Sequence, residues 1–555
     1  MTAAARRAQT LERFASHAFD LLIVGGGATG AAAARDAALR GLDVALCEAG
    51  DFAGETSSQS SKLIHGGLRY LQYGDLHLVF EGLSERARLM RTAPHLCRPI
   101  EFVFPGYSGE TPSLPTLGIG IALYNALALW RPPARGRKLS AGELYDLSPH
   151  LRTAGLAGAV AYVDCQTDDA RLVLENVLDA EASGATVANH LRAEALLRDR
   201  RGRVVGARLV DAETGDTFET RARIVLSATG PFTDSFVADG AHRLRPTLGV
   251  HLVFDAARVP HGGRALVLRS PRDNRLFFVL PAGARTIVGT TDTDWTSTQP
   301  PRLNDDIRAR GEDVVYLLEA ANHAFPSLGL AADDVLSTFA ALRPLLATSA
   351  NTPSETSREH EIVRAADGLL VIAGGKLTTL RRMGEQAVDA AVAALHAGGL
   401  ERTLVRSSTA HRPLPGGGAP PASLADLGLA PNVAARLTTA YGGRADDVLQ
   451  LAGASPELAA LIDPELPYFW AEVVYAVRTE GARAVADVLR RRVPLFRDAR
   501  DQGLAAAERV ADVLAAELGW TPARRGLSLV AYEAEVERSR RWRAELTAAA
   551  PLTES

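Results

Sequence analysis

The chain has 555 residues, a formal net charge of −4, 47% hydrophobic residues and 23% charged residues. This length predicts two to four domains of a globular protein, and the small acidic excess argues against nucleic acid as a partner, since such proteins usually have a basic excess. The three cysteines lack metal-ligand spacing and favour a reducing compartment. The sequence has no apolar run of the kind expected for a signal peptide or a transmembrane helix.

A buried strand near the start of the chain runs directly into a glycine loop and a helix-forming segment. In the spacing Gly25-x-Gly27-x-x-Gly30, the first glycine permits a tight turn, the second lets a pyrophosphate approach, and the third lets helix and strand pack closely. The helix N-terminus offers N–H groups to phosphates. A second strand, 44–47, ends at Glu48, where an acid can bind a ribose hydroxyl. The pattern predicts an adenine-dinucleotide site.

Residues 51–75 are rich in hydroxyl groups and glycine, which is typical of a loop that contacts the ligand of a neighbouring site. A helix is predicted over 76–91. The apolar segment 117–130 is too short to span a bilayer, but its terminal Trp130 and the basic residues after it suit an interfacial anchor on anionic lipid. A buried core helix is the alternative interpretation.

Three further stretches complete the first 400 residues. Residues 203–230 alternate as a β-meander that ends in Ala-Thr-Gly, a second place where backbone can approach a cofactor. Residues 248–295 predict β-hairpins that build a substrate-facing layer. Residues 367–390 repeat the order of strand, glycine turn and helix N-terminus.

The Pro/Gly-rich segment 411–421 predicts a linker, and residues 422–545 are helical in pattern. Within the helical part, the run Arg490 to Arg492 is interpreted as an exposed helix face, since most charge runs are solvated. We find no internal repeat.

Motif blocks follow one another along the chain at Gly25–Gly30, Ser60–Tyr70, Asp164–Leu172, Gly289–Asp294, Leu342–Leu345 and Gly374–Thr379. The long block Lys62-Leu-Ile-His-Gly-Gly-Leu-Arg-Tyr70 is the most specific of them. In this order the blocks resemble those of the FAD-dependent (aerobic, respiratory) glycerol-3-phosphate dehydrogenases.

The resemblance implies an α/β fold: a Rossmann-like FAD-binding domain with an interleaved mixed β-sheet substrate domain, plus a C-terminal all-α domain. The first domain is expected within 19–410, from segments of about 19–75, 150–240 and 350–395. The substrate or cap domain is expected at about 76–149 and 241–349. The linker 411–421 and the helical domain 422–545 follow.

The resemblance also implies the site residues. A phosphate dianion favours several cations with bidentate reach, and hydride transfer from an alcohol needs a base for the hydroxyl proton. The expected substrate residues are Arg69, Tyr70, Arg343, Arg358 and Lys376. The expected catalytic residues are His65, Arg343 and Lys376, with His65 as the base or, alternatively, as a flavin hydrogen-bond partner. The expected FAD-binding residues are Gly25, Gly27, Gly30, Glu48, Thr56, Ser57, Ser61, Leu63, Thr229, Gly230, Leu377 and Thr378.

The implied activity is oxidation of sn-glycerol 3-phosphate to dihydroxyacetone phosphate, with FAD passing the electrons to a membrane quinone. The expected location is the cytoplasm, at the inner face of the cell membrane, with peripheral contact to anionic lipid; a homodimer is an open alternative to a monomer. An oxidase of the same family that uses oxygen and releases hydrogen peroxide is the alternative activity. An FAD-dependent amine or amino-acid oxidase is a more distant one.

The sequence departs from the family pattern near the expected site. Before Arg343 the family usually has glycine, whereas this chain has Ala340-Ala341. Leu380 replaces a tyrosine, and Leu248 stands where a basic residue is usual. The last change is expected to remove a cation from the neighbourhood of the substrate domain. Ser227 and Phe232 replace Asn and Trp around the Ala-Thr-Gly turn, which we interpret as tolerable packing changes.

Overall fold

In a computed structural model, the protein consists of two β-sheets with their helices and a set of C-terminal helices. It describes residues 2–549 except 69–70, 72–73, 111, 129–135, 238, 296, 298, 304, 348–358, 420–423 and 425–428. The strands are β1 (Ala18–Val24), β2 (Val44–Cys47), β3 (Leu63–Ile64), β4 (Arg98–Tyr107), β5 (Arg137–Leu139), β6 (Leu156–Gln166), β7 (Thr186–Ala188), β8 (Leu191–Arg198), β9 (Val204–Asp211), β10 (Thr217–Ser227), β11 (Thr247–Asp255), β12 (Ala265–Arg269), β13 (Leu276–Ala282), β14 (Arg285–Gly289), β15 (Thr293–Asp294), β16 (Ser337–Arg343), β17 (His360–Arg364) and β18 (Leu370–Gly374).

The helices of the two sheet-forming parts are α1 (Ala3–Ser16), α2 (Ala28–Leu39), α3 (Leu76–Thr92), α4 (Leu114–Leu127), α5 (Ala141–Leu147), α6 (Asp169–Ala182), α7 (Thr233–Val237), α8 (Gly311–Ala324) and α9 (Leu380–Ala397). The C-terminal helices are α10 (Pro431–Tyr441), α11 (Ala445–Ala452), α12 (Pro456–Ala459), α13 (Trp470–Arg478), α14 (Val485–Asp487), α15 (Leu495–Asp498), α16 (Leu504–Leu518), α17 (Pro522–Arg540) and α18 (Trp542–Ala549). The expected α/β fold with a C-terminal all-α domain is confirmed.

The first sheet has the strand order β17-β18-β10-β1-β2-β7, with β8 and β9 extending from β10. The strands from β18 to β7 in this order are parallel, and β17 pairs antiparallel with β18. Helices α2, α6 and α9 cover one face through small side chains such as Ala33 and Ala387, which let the helices approach closely. The strand β2 is apolar and buried at every residue, as is usual for a parallel strand that is covered on both faces. Cys47 is 1% exposed and packs in the separate hydrophobic core on the other face of this sheet.

The second sheet has the order β15-β11-β14-β13-β12-β4-β6-β3, with β16 beside β11 and β5 beside β6. Two of its strands, β3 and β6, fall within segments that the sequence division assigns to the first domain. That division is wrong at these strands, because β6 pairs with β4 along its whole length and β3 pairs with β6. After β6 the chain forms α6, which Asp168 caps, and it re-enters the first sheet at β7.

The predicted linker is a packed segment. Leu414 is 2% exposed, and the Gly416 N–H donates to Glu175 Oε2 at 2.7 Å. A Cβ on Gly416 would lie 2.5 Å from His95 Nε2, and one on Gly442 would lie 1.9 Å from the Gly416 carbonyl oxygen. The described part of this segment therefore fits closely between the first domain and the helices that follow it.

The run Arg490 to Arg492 lies inside the protein, so its interpretation as an exposed face is wrong. It forms a π-helical turn, and Arg492 is 0% exposed. Arg491 and Arg492 both bind the carboxylate of Asp51, which itself is 3% exposed. Asp51 stands in the loop after β2, so these charges join the C-terminal helices to the edge of the predicted dinucleotide site.

The apolar segment 117–130 begins within α4 and is buried on one side only. Leu117, Ile121 and Tyr124 are buried, whereas Ile119 is 72% and Leu123 is 42% exposed. Trp130 and the first basic residues after it lie outside the described residues. No helix in the described part of the chain is both long and apolar enough to cross a membrane.

A histidine also joins the first sheet to the C-terminal helices. His190 Nε2 lies 2.8 Å from Asp487 Oδ2. Burial by itself lowers the pKa of His190, but Asp487, with Asp51 and Glu213 nearby, outweighs burial and raises the pKa above its ordinary value. His190 has φ +50°, a conformation that asparagine tolerates well.

We therefore expect a pH-dependent contribution of His190 to stability. Because its pKa is higher in the folded than in the unfolded protein, the contribution is complete below about pH 6.5 and is lost as pH rises through the folded pKa. The thermal unfolding midpoint of the native protein should fall more between pH 6 and pH 9 than that of His190→Asn. Equal pH dependence of the two midpoints would contradict this assignment.

Candidate active site

The glycine loop after β1 requires glycine for steric reasons. Gly25 has φ +108°, and a Cβ there would lie 2.5 Å from the Ala228 carbonyl oxygen. A Cβ on Gly30 would lie 1.8 Å from the Gly25 carbonyl oxygen. Gly27 caps the N-terminus of α2, so the helix begins where the loop faces open space. This geometry leaves room for a pyrophosphate at the helix N-terminus.

A cavity of about 790 Å³ extends from this loop between the two sheets. Its volume falls within the roughly 300–1,000 Å³ of small-molecule and cofactor sites. Gly30 lies beneath the loop and is the one FAD-binding residue expected from the sequence that does not line the cavity. The expected residues that line it are Gly25, Gly27, Glu48, Thr56, Ser57, Ser61, Leu63, His65, Thr229, Gly230, Arg343, Lys376, Leu377 and Thr378.

Glu48 stands at the end of β2 beside the glycine loop. Its two carboxylate oxygens accept the N–H groups of Gly26 at 2.6 Å and Gly50 at 2.8 Å. Burial raises the pKa of Glu48, and the two backbone donors oppose that shift. The carboxylate is thus fixed at the cavity wall where the sequence pattern predicts contact with a ribose.

The hydroxyl-rich loop after Glu55 connects the two sheets along the cavity. Thr56 Oγ1 donates to the Leu342 carbonyl oxygen at 2.7 Å, and the Ala28 N–H donates to Ser57 Oγ at 2.9 Å. Beneath the loop, Lys62 Nζ donates to the Ser58 carbonyl oxygen at 3.0 Å and forms a buried ion pair with Asp169. The polar residues of the loop therefore hold its shape as well as line the site.

Arg343 ends β16 and presents a cation to the cavity. Its guanidinium lies against the backbone of Gly249 on the neighbouring strand β11, where a Cβ would come within 2.4 Å of Nη2. Nη1 donates to Asp292 Oδ1 at 2.9 Å, and Nη2 donates to Thr290 Oγ1 at 2.7 Å. The arginine is therefore held in one orientation at the cavity wall.

His65 and Lys376 bring parts of the two sheets together. The His65 backbone N–H donates to Thr378 Oγ1 at 3.2 Å, and the Thr378 hydroxyl donates to the His65 carbonyl oxygen at 3.1 Å. Lys376 follows the turn Gly374–Gly375, where both glycines have positive φ. Its ammonium donates to the Leu78 carbonyl oxygen at 3.4 Å, so α3 lies beside this end of the cavity.

His251 is a cavity residue that the sequence reasoning did not select. It is 2% exposed, its ring stacks on Phe339 with centroids 4.6 Å apart, and its Nε2 lies 2.9 Å from Ser61 Oγ. Burial, and then the charges of Arg343 and Lys62, hold its pKa well below the ordinary value. The signal available in the sequence was Gly249-x-His251 on a strand, since alternate residues share a face.

Leu248 faces away from the cavity and packs in the core of the second sheet beside Leu342. The missing cation at this position would not have faced the cavity, because position 248 is on the opposite side of β11 from Gly249 and His251. Ala341 does line the cavity. Arg69, Tyr70 and Arg358 lie outside the described residues. Further residues along the cavity that were not anticipated include Arg192, Glu194, Phe232, Phe236, Arg302 and Asp305.

The cavity combines two chemical environments. At the first sheet, glycine backbone, a helix N-terminus and Glu48 suit the phosphates and ribose of a dinucleotide. Farther along the cavity, Arg343 and His251 of the second sheet and Lys376, which follows β18 of the first sheet, suit an anionic substrate next to groups that can exchange a proton. One site can therefore hold a redox cofactor and a small anionic alcohol together.

Two family models match the chain. Residues 20–390 match the FAD dependent oxidoreductase family, and residues 407–525 match the C-terminal domain of alpha-glycerophosphate oxidase. The matched ranges together cover both sheets and most of the C-terminal helices.

Individual proteins are similar over nearly the full length. The glycerol-3-phosphate dehydrogenase of Mycobacterium leprae is 38% identical, with 96% of this chain and 90% of that protein covered. The aerobic glycerol-3-phosphate dehydrogenase of Staphylococcus saprophyticus is 34% identical, with coverages of 93% and 94%. The crystal structure of the glycerol-3-phosphate dehydrogenase from Bacillus halodurans, complexed with FAD, has a TM-score of 0.78 at 31% identity and coverages of 97% and 98%.

Proposed function

Because this chain belongs to the family of FAD-dependent glycerol-3-phosphate dehydrogenases, we propose that it oxidises sn-glycerol 3-phosphate to dihydroxyacetone phosphate and passes the electrons to a membrane quinone. The observation that supports this most directly is the single cavity that joins a dinucleotide-binding glycine loop to Arg343 and Lys376. Neither half of that cavity would suffice for the reaction by itself.

The chain is an FAD-dependent oxidoreductase, and its residues fit that cofactor. Gly25 and Gly27 would leave space for the pyrophosphate, and Glu48 would bind a ribose hydroxyl. Thr229 and Gly230 would contact the adenosine half, while Leu377 and Thr378 would contact the isoalloxazine half. FAD, when bound, supplies the ring that accepts a hydride from the substrate.

The substrate phosphate is proposed to bind the arginine side of the cavity. Arg343 offers a planar, permanently charged fork, which matches phosphate oxygens in a bidentate manner. Arg69, Tyr70 and Arg358 are proposed to complete this clamp on the family resemblance. Lys376 would lie near the reacting hydroxyl, where a compact ammonium can hold an oxygen.

Oxidation removes a hydride from C2 of the substrate and a proton from its C2 hydroxyl. We assign the proton to His65, a residue that lines the cavity together with Leu377 and Thr378. His251 is less suited to take this proton, because its Nε2 is engaged with Ser61 and its ring is almost fully buried. In this assignment His251 instead holds the loop against the second sheet.

The proposed electron acceptor is a quinone because apolar side chains are exposed beside the Lys376 end of the cavity. Leu76 and Phe80 of α3 are 46% and 39% exposed, and Ile119 and Leu123 of α4 stand on the neighbouring helix. We define these four residues as the α3–α4 patch. An exposed apolar patch of this kind suits contact with a membrane.

The alternative within the family is an oxidase that reduces oxygen to hydrogen peroxide. The α3–α4 patch favours the quinone, since oxygen needs no membrane contact. An amine or amino-acid oxidase is disfavoured by the family to which the chain belongs.

The substrate and the acceptor can be tested together by anaerobic flavin absorbance. Glycerol 3-phosphate should bleach the flavin, whereas unphosphorylated glycerol should not. After admission of air, slow recolouring is expected for the dehydrogenase, and a quinone analogue should accelerate it. Rapid recolouring with peroxide release would establish the oxidase instead.

The role of Arg343 in the clamp can be tested with Arg343→Ala. This variant should have a higher KM and a lower kcat/KM, and the fall in kcat/KM should correspond to a loss of about 2–4 kcal/mol in transition-state stabilisation, because a charged contact to the substrate is lost. An unchanged kcat/KM would remove Arg343 from the clamp.

The assignment of the general base to His65 rather than to His251 can be tested by substitution. His65→Gln should lower kcat by about 10²- to 10⁴-fold, the usual contribution of general base catalysis. His251→Gln, which keeps an amide in place of the buried ring, should have a smaller effect on kcat. Single-turnover bleaching by glycerol 3-phosphate measures both. A larger loss for His251→Gln would assign the base to His251.

Membrane contact can be tested with vesicles of phosphatidylglycerol and phosphatidylcholine. The paired change Ile119→Glu with Leu123→Glu should reduce co-sedimentation, because it places two anions in the α3–α4 patch. A matched control is Leu527→Glu with Val530→Glu on α17, where the side chains are 65% and 62% exposed. An equal loss of co-sedimentation for both pairs of substitutions would show that the α3–α4 patch does not contact the membrane.

A further inference from the structure

The motif Gly289–Asp294 lies directly behind Arg343. It connects β14 to β15, and both strands pair with β11, the strand that supports the Arg343 guanidinium. Neither Thr290 nor Asp292 lines the cavity. The motif thus contains polar residues close to the proposed substrate cation, none of which is used as a contact to substrate or cofactor.

Three hydrogen bonds from the guanidinium run to this motif. Arg343 Nη1 donates to Asp292 Oδ1 at 2.9 Å, while Nη2 donates to Thr290 Oγ1 at 2.7 Å and to the Thr291 carbonyl oxygen at 3.0 Å. Gly249 forms the other wall, since a Cβ there would meet Nη2 at 2.4 Å and Cζ at 2.6 Å. Acceptors on one side and bare backbone on the other fix the plane of the guanidinium.

Asp292 is itself rigidly held. It is 7% exposed, its Oδ1 accepts the Thr247 hydroxyl at 2.9 Å, and its carbonyl oxygen accepts Arg275 Nη1 at 2.6 Å. A carboxylate with these partners cannot follow a moving arginine, so the arginine must adopt the orientation that the carboxylate sets.

We propose that Asp292, assisted by Thr290, is a positioning residue that sets the orientation of the Arg343 guanidinium toward the substrate phosphate. This rests on the proposed function, because it takes Arg343 as part of the substrate clamp. Asp292 acts only through Arg343. A side chain that loses its orientation costs up to about 10²-fold in rate even when the chemistry itself is untouched.

The same motif contains a matched control. Asp294 stands two residues away and forms a bidentate ion pair with Arg245, at 2.8 Å for each bond. Its side chain is 43% exposed and does not line the cavity. Asp294→Asn removes the same charge from the same motif without reaching Arg343.

The first test compares Asp292→Asn with Asp294→Asn in the FAD-loaded enzyme. Asp292→Asn should lower kcat/KM for glycerol 3-phosphate by about 10- to 100-fold, and Asp294→Asn by less than about two-fold. Equal kcat/KM for the two variants would overturn the proposal. Thr290→Val, which keeps the shape but removes one acceptor, should lower kcat/KM by about 10-fold, and it replaces Asp292→Asn if that variant fails to fold.

The second test combines the change with Arg343→Ala. If Asp292 acts through Arg343, Asp292→Asn should cause no further loss of kcat/KM in the Arg343→Ala background. A loss as large as in the native enzyme would show an independent role and overturn the proposal.

A binding readout separates this proposal from the proposed function. The flavin absorbance of the loaded enzyme is titrated with dihydroxyacetone phosphate, which needs no turnover. Weaker binding in both Arg343→Ala and Asp292→Asn supports the positioning role. Weaker binding in Arg343→Ala alone overturns the role of Asp292 and leaves the clamp intact. No change in Arg343→Ala overturns both.

Discussion

A group of buried charges joins the cofactor side of the molecule to its C-terminal helices, and the rest of the architecture depends on it. Asp51, in the loop beside the glycine turn, is buried with Arg491 and Arg492 as its charged partners, and both reach it from a helical turn far along the chain. Removing one partner of such a pair typically costs about 3–5 kcal/mol, since the other charge stays buried. Arg171 with Glu480, and Arg444 with Glu175, repeat the arrangement. The planar, weakly hydrated guanidinium suits these positions better than an ammonium, in a chain that has only three lysines.

The active site follows from the way the two sheets meet. The first sheet supplies backbone, through the glycine turn and the N-terminus of α2, because a pyrophosphate is best met by N–H groups without side chains. The second sheet supplies charged side chains, and β11 alternates between Leu248 in the core and Gly249 at the cavity. Because Gly249 has no side chain, the Arg343 guanidinium can lie directly against its backbone. The loop containing Thr56 and Ser61 fastens one sheet to the other.

Local patterns predicted the parts of the fold that short-range physics determines. The glycine turn at Gly25 and Gly27, the end of β2 at Glu48 and the motif around Lys376 all line one cavity, because each follows a strand and the turns stand at helix N-termini. Pairing between distant strands was not predictable, because the sequence of an apolar strand does not reveal which strand it pairs with. For this reason β6, which pairs with β4, was assigned to the wrong domain. The burial of Arg492 was missed for the same reason, because its carboxylate partner is 441 residues away. His251 could have been found from its alternation with Gly249.

The distance in sequence between Asp51 and its two arginines has a consequence for the growing chain. Synthesis at roughly 5–20 residues per second separates the two sides of this contact by roughly 20 to 90 seconds. During that interval the first sheet can form and its glycine turn can close, but Asp51 must stay hydrated. The loop beside the cofactor reaches its final shape only after the ribosome has delivered Arg491 and Arg492. The synthesis of the C-terminal helices therefore determines when this loop can adopt its final conformation. In a chain truncated before these helices, the loop beside the FAD site would lack the two arginines that bind Asp51.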